Sequence, residues 1–179
     1  MFNDSFQRIF TGNAISLAAA CFTLASAWSG NRKRIYLCQA GQCLLLAVAN
    51  VFFLSWSGVT TFLLCTARNL LLVRDRFTKK LCVLFVVSVA AIGLAANNRG
   101  LTGLLPVITT ALYTVVCLYA RRTAAIKLNI MSNLTLWAVY EFLIADYVSF
   151  AVDTGSALAA LLSIVRDRPE TRRLNERNR

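Results

Sequence analysis

The sequence predicts an all-α polytopic membrane protein, seven transmembrane helices arranged as two parallel three-helix repeats joined by a linker helix. Three observations lead there: composition, the spacing of apolar runs, and the side on which basic residues fall. Of 179 residues, 58% are hydrophobic and only 15% charged, and mean hydropathy is +0.61. Soluble domains average roughly 45–50% apolar and about 25% charged. A net charge of +11 could suggest a nucleic-acid groove, but the basic residues punctuate apolar runs rather than line a stripe, which is the positive-inside pattern and speaks against a nucleic-acid partner.

A helix needs roughly 17–25 apolar residues to cross a hydrocarbon core. Seven runs qualify: Gly12 to Trp28, Ile35 to Leu54, Ser57 to Val73, Leu81 to Ala96, Leu101 to Ala120, Ala124 to Ile144 and Val148 to Val165. The connections are a handful of residues each, so sequential helices pack as neighbours and no soluble domain fits between them. With the N-terminus outside, Arg8 and Arg99 lie on the outer side, sixteen basic residues lie on the inner side, and Arg68 falls within a span. That imbalance predicts seven crossings with the C-terminus cytoplasmic. Ala25-Ser-Ala27 resembles a signal-peptide cleavage site, but Asn31-Arg-Lys-Arg34 follows at once and resists translocation.

An internal echo divides the chain further. Val73-Arg-Asp-Arg76 recurs at Val165-Arg-Asp-Arg168, and at an offset of 91 Gln42 falls over Asn133, Asn50 over Glu141 and Trp56 over Tyr147. Spans one to three and five to seven then form two units in the same orientation, a recurrent transporter design with the solute held near the midplane. The predicted organisation is an external N-terminus over residues 1–11, a first repeat over 12–76, a linker helix over 77–100, a second repeat over 101–168 and a basic tail over 169–179. The linker Leu81 to Ala96 carries no amide or charge and reads as lipid-facing.

The 3+1+3 arrangement is similar to that of the SWEET and PQ-loop transporters. More closely, Ala67-Arg-Asn-Leu-Leu-Leu-Val-Arg-Asp-Arg76 followed by Gly103-Leu-Leu-Pro-Val-Ile108 resembles the YgjV-type family of bacterial inner membrane proteins, over roughly Gly12 to Arg168. This resemblance implies a multi-pass protein of the bacterial cytoplasmic membrane and implies no particular activity. SWEET-like proteins typically carry a proline in the first helix of each unit and often a Pro-Gln pair. Here Pro106 has no partner in the first span and no Pro-Gln occurs, which speaks against sugar transport specifically.

Polar side chains at bilayer depth mark candidate function, because they are costly there and face protein or water. In the sixth span Asn129, Asn133, Trp137, Tyr140 and Glu141 share one face. Its repeat mate carries Gln39, Gln42 and Asn50. Ser149, Asp153, Ser156, Ala160 and Ser163 form a stripe in the seventh span. Ser16, Ala20, Thr23 and Ala27 do so in the first, and Pro106, Thr110, Tyr113, Thr114 and Cys117 in the fifth. Small-residue stripes also serve as helix-packing surfaces, and Asn133 with Trp137 can either hydrogen-bond between helices or orient and stack a polar solute. Arg68 lies roughly 9 Å inside the inner boundary, where it can snorkel to headgroups. Asp153 lies about 11 Å further in, so the two pair only if helix tilt closes the gap. Glu141 reads either as a rim carboxylate reached by water or as a cavity group that crowds Asp153 and creates a proton-binding site.

The candidate solute-binding residues are therefore Gln42, Asn50, Thr110, Asn133, Trp137, Glu141, Asp153 and Ser156, with Arg68 as an intramembrane charge. The six cysteines lie in apolar stretches without CxxC spacing and read as reduced packing residues. Without histidine, an HExxH or GxSxG motif, or a metal-ligand cluster, the chain is expected to be no enzyme and to hold no cofactor or metal. Expected partners are the bilayer, anionic lipid headgroups at the tail, a small polar solute, and a second copy of the chain. Two functions follow: a small-solute transporter or facilitator, or a non-transporting scaffold whose polar stripes only hold helices together.

Overall fold

The computed structural model describes residues 2–28, 32–119, 123–159 and 161–162. Seven helices fill them, and no strand occurs among the described residues: α1 Phe2–Trp28, α2 Arg32–Phe52, α3 Trp56–Val73, α4 Lys79–Ala95, α5 Leu101–Tyr119, α6 Thr123–Leu143 and α7 over 147–159. The segments 4–26, 33–52 and 56–73 are long and apolar enough to cross a membrane. Outward faces are apolar, with Leu17, Leu44, Leu63, Val83, Leu112 and Phe142 all exposed. So much exposed apolar surface suits lipid rather than water. Residues 160 and 163–165 of the expected seventh span, the echo at 165–168, Arg121, Arg122 and the basic tail lie outside the described residues.

Helix α1 begins at Phe2, ten residues before the expected Gly12. Asp4 in its first turn complements the positive end of the helix dipole, and nothing in Phe2 to Thr11 breaks a helix. Gly12 marks instead where α1 meets the bundle, since a Cβ there would lie 2.6 Å from the Phe53 ring.

Helices α2, α3 and α6 end in the same way. The residues Leu54, Asp75 and Ala145 take positive φ (53°, 54° and 65°). In each case the next residue's N–H returns to a carbonyl five positions back: Ser55 to Asn50 at 3.0 Å, Arg76 to Leu71 at 3.0 Å, Asp146 to Glu141 at 2.9 Å. This is the Schellman cap, here built without the glycine that ordinarily relieves the left-handed residue. The α2–α3 and α6–α7 turns match bond for bond at an offset of 91 residues, since Leu54 N–H to Val51 O and Val59 N–H to Ser55 O correspond to Ala145 to Phe142 and Phe150 to Asp146.

Each of these two turns is held by a distant asparagine. Asn98 Nδ2 donates to Leu54 O at 2.9 Å, and its Oδ1 accepts from Trp56 N–H at 3.2 Å. Asn13 Nδ2 donates to Ala145 O at 2.9 Å, and its Oδ1 accepts from Val148 N–H at 3.1 Å. Arg99 adds bonds to the Phe53 and Leu54 carbonyls, two of the orphan acceptors at the end of α2.

Ala19, Leu46, Phe53, Phe62, Trp137 and Tyr140 belong to one buried apolar cluster joining α1, α2, α3 and α6. A second cluster, Cys65, Phe85, Val89 and Val107, seats α4 between α3 and α5. The other face of α4 exposes Val83, Leu84 and Val87, as its composition predicts. Cys21, Cys38, Cys43, Cys65 and Cys82 form no disulfide, with Cys65 and Cys82 buried and Cys21 exposed.

Candidate functional site

A cavity of about 270 Å³ lies within the bundle, and among the described residues its walls come from every helix except α4. Helix α6 presents Asn133, Trp137 and Glu141 to it, each four residues from the next on one face. From α7 come Ser149, Asp153 and Ser156, and from α2 Gln39 and Gln42. Helix α5 gives Thr110 and Tyr113, α1 gives Ser16, Ala20 and Thr23, and α3 gives Phe62, Arg68 and Asn69. Gln42, Thr110, Asn133, Trp137, Glu141, Asp153, Ser156 and Arg68 are thus brought to one space.

Asn50 is not. Its Nδ2 donates to Leu46 O at 2.9 Å, and its Oδ1 accepts from the Tyr140 hydroxyl at 2.7 Å. Tyr140 also shares a 2.6 Å hydrogen bond with Ser55 Oγ. All three side chains are sealed from solvent, so the chain of oxygens forms a plug at the turn end of the bundle rather than a wall of the cavity. Gly58 makes room for it, because a Cβ there would collide with Asn50 Oδ1 and the Tyr140 hydroxyl. Ser55 is consequently lost as a side-chain cap for α3, and Asn98 serves the exposed N–H of Trp56 instead.

Glu141 is no rim carboxylate. It is 3% exposed and faces the cavity from the last turn of α6. Its Oε2 has no hydrogen-bond partner among the described residues, and neither has Asn133 Oδ1. Both acceptors belong to cavity-lining residues. Trp137 stands between them, its ring stacked on Phe62 at 4.6 Å and edge-on to Tyr140 at 5.6 Å, which fixes the indole as a rigid wall.

Arg68 turns into the bundle instead of snorkelling. Its guanidinium donates to Thr114 Oγ1 at 3.2 Å and to Asn69 Oδ1 at 3.4 Å, and it lies 5.5 Å from the Phe85 ring centre and 5.7 Å from that of Tyr113. Two aromatic faces and two oxygens replace the headgroups that a snorkelling side chain would reach. Asn129 donates to Tyr113 O at 3.3 Å, tying α6 to α5. Ala160, Ser163 and the side chains of Ala27 and Cys117 lie outside the described part.

The sequence reading passed over Asp146. In the turn between α6 and α7 its Oδ2 accepts from Ser16 Oγ at 2.7 Å and its Oδ1 accepts from Ser149 N–H at 3.2 Å, capping α7 and binding it to α1. Burial pushes its carboxyl above the usual range, against the downward pull of the bonds from Ser16 and Ser149. Its signal was present in the sequence: at the offset of 91 it falls over Ser55, the corresponding first residue after a helix cap. Among the described residues no three His, Cys, Asp or Glu side chains gather where they could share a metal ion.

A search of curated proteins and a search of solved structures each returned no match. The model of the Imp-YgjV family, described as a bacterial inner membrane protein, matches residues 10–171. Apolar helices, a lipid-suited exterior and a match over nearly the whole chain agree, and the chain belongs to the Imp-YgjV family of bacterial inner membrane proteins.

Proposed function

We propose that this inner membrane protein is a small-solute transporter or facilitator, working by alternating access between α1–α3 and α5–α7 with α4 as a linker. The observation that carries the reading is the cavity. Its lining draws on all six helices of the two triplets and excludes α4, as two units meeting at a solute site require. A volume of about 270 Å³ is just below the roughly 300–1,000 Å³ of ligand pockets. Buried acceptors in its wall without protein partners give a solute something to bind.

The repeat reading draws support from the two matching turns at an offset of 91. In this reading the N-terminus and the turns at 53–55 and 144–146 face outward, the basic tail meets anionic headgroups inside, and the Asn50–Tyr140–Ser55 plug with the two asparagine clasps closes the outer end. No chemical step is assigned to the chain.

The test is uptake of labelled solutes (amino acids, sugars and vitamins) into proteoliposomes holding the purified chain. Saturable uptake of one class, lost in Asn133→Ala and Trp137→Ala variants that still fold, is the expected result. No uptake across the panel, with both variants merely less stable, overturns the proposal in favour of a non-transporting scaffold.

A further inference from the structure

The charged groups of the cavity are not evenly spread. Counting from the turns that end α6 and begin α7, Glu141 lies about 6 Å and Asp153 about 10 Å into the bundle at 1.5 Å per residue. On the same count from Ser55, Arg68 lies about 20 Å in. Two carboxylates therefore share one end of the space, and the single arginine of the lining stands at the other, engaged with Thr114, Asn69 and the rings of Phe85 and Tyr113.

The orphaned atoms of the cavity lining have one chemistry as well, while the unpartnered hydroxyls of Ser57, Thr61 and Thr109 lie outside it. Glu141 Oε2 and Asn133 Oδ1 are both acceptors, both buried, and both without a partner among the described residues. They stand two helical turns apart on α6 with the face-fixed Trp137 between them. A buried acceptor asks for a donor, and a buried carboxylate asks for a positive one. The flat π-system of an indole attracts the same kind of group.

We infer that the cavity binds a solute bearing an ammonium group, held by Glu141 with Asp153 as the second carboxylate, Asn133 Oδ1 as a further acceptor and the Trp137 ring as its wall. This rests on the reading of the cavity as a solute site, and not on transport. The ammonium brings what this end of the cavity lacks among the described residues, a positive charge. Non-specific attraction to the protein works against such a ligand, because the chain as a whole carries +11.

The experiment uses three four-carbon probes that differ in end groups alone: 1,4-diaminobutane, 1,4-butanediol and succinate. Each is titrated calorimetrically into the full chain in lipid nanodiscs. The diamine is expected to bind saturably, with the diol and succinate at least tenfold weaker. Glu141→Gln weakens diamine binding at least tenfold while its unliganded melting temperature stays near that of the parent, since the amide keeps the shape of the carboxyl it replaces. Asp75→Asn, which alters an exposed carboxylate paired with Lys33 far from the cavity lining, leaves the affinity unchanged.

Equal binding of the diol or succinate, parental affinity in Glu141→Gln, or no saturable diamine binding each overturns the inference. The transport reading fails separately. A diamine that binds but never enters proteoliposomes removes transport and leaves the amine site, whereas a neutral or anionic solute that enters while no amine binds does the reverse.

Discussion

Adding one methyl group at Gly58 should damage this protein more than the same change at Gly155, although both glycines sit inside helices. At Gly58 the new Cβ would lie 2.8 Å from Asn50 Cγ and closer still to Asn50 Oδ1 and the Tyr140 hydroxyl. A relaxed carbon–oxygen approach is about 3.3 Å or more, so both oxygens must move. They belong to a sealed chain in which Tyr140 and Ser55 are 0% exposed and Asn50 1%, so water cannot replace the bonds of 2.7 and 2.6 Å that are lost. Each buried group left unpaired costs about 1–3 kcal/mol, and overpacking itself costs about 1–3 kcal/mol. Gly58→Ala is therefore expected to destabilise by about 2–6 kcal/mol. At Gly155 nothing lies within 4 Å of the added Cβ, and the better helix propensity of alanine gives a gain of about 0.5–1 kcal/mol. Unfolding by denaturing detergent in mixed micelles, followed by intrinsic fluorescence, reads both variants on one scale. A Gly58→Ala variant within about 0.5 kcal/mol of the parent, or a Gly155→Ala variant equally damaged, refutes the packing argument.

Three further outcomes follow from the turns. Asn13→Ala removes two of the bonds that hold the α6–α7 turn to α1, and is expected to lower stability by about 1–3 kcal/mol in the same unfolding assay, with Asn98→Ala close behind. Gly103→Ala pushes a Cβ into Asn97 Oδ1, which accepts from Arg99 N–H at 3.0 Å. Faster amide exchange at Asn98 and Arg99 is the expected readout, because the loop that carries them loses its internal anchor. For Asp146, the folded chain holds a proton more tightly than the unfolded chain, so its contribution is favourable at low pH and declines as pH rises from about 4. Melting temperature should accordingly fall more steeply between pH 4 and 7 for the parent than for Asp146→Asn, and parallel profiles would count against a raised carboxyl.

The helices were legible because each one is an apolar run bounded by charge or by a short polar turn. Leu101 to Ala120 and Ala124 to Ile144 fall within a residue of α5 and α6 where both are described, and the lipid-facing reading of α4 follows from its lack of polar groups. The start of α1 was not legible, since a hydropathy window sees the lipid-crossing part of a helix and not its polar extension through Phe2 to Thr11. Facing was half legible. A spacing of four put Asn133, Trp137 and Glu141 on one stripe, and a stripe can only look one way. Asn50 shows the limit: periodicity gives the angle around α2 but not what waits there, and the Tyr140 hydroxyl with the Leu46 carbonyl takes up its amide before the cavity begins. Arg68 shows another, because its partners Thr114, Phe85 and Tyr113 come from α4 and α5, and no local pattern in α3 reports them.

The two clasps are exchanged between the triplets, and this constrains how the proposed halves could move. Asn13 belongs to α1 but holds the turn between α6 and α7. Asn98 and Arg99 lead into α5 but hold the turn between α2 and α3. Neither triplet latches its own turn, so separating them at this end breaks both clasps together, along with the Ser16–Asp146 and Tyr140–Asn50 bonds that also cross between them. At a net contribution of about 0.5–1.5 kcal/mol per hydrogen bond, six or more bonds lost at once, with their donors and acceptors exposed to water at the opened end, oppose opening by several kcal/mol. That is the size of gap that keeps a minor state below about 1%. Solute binding in the cavity would have to differ between the two states by a similar amount to open this end. Removing one clasp should therefore speed exchange more than it weakens binding, and flux with an unchanged solute affinity in Asn13→Ala is the pattern that an exchanged latch predicts.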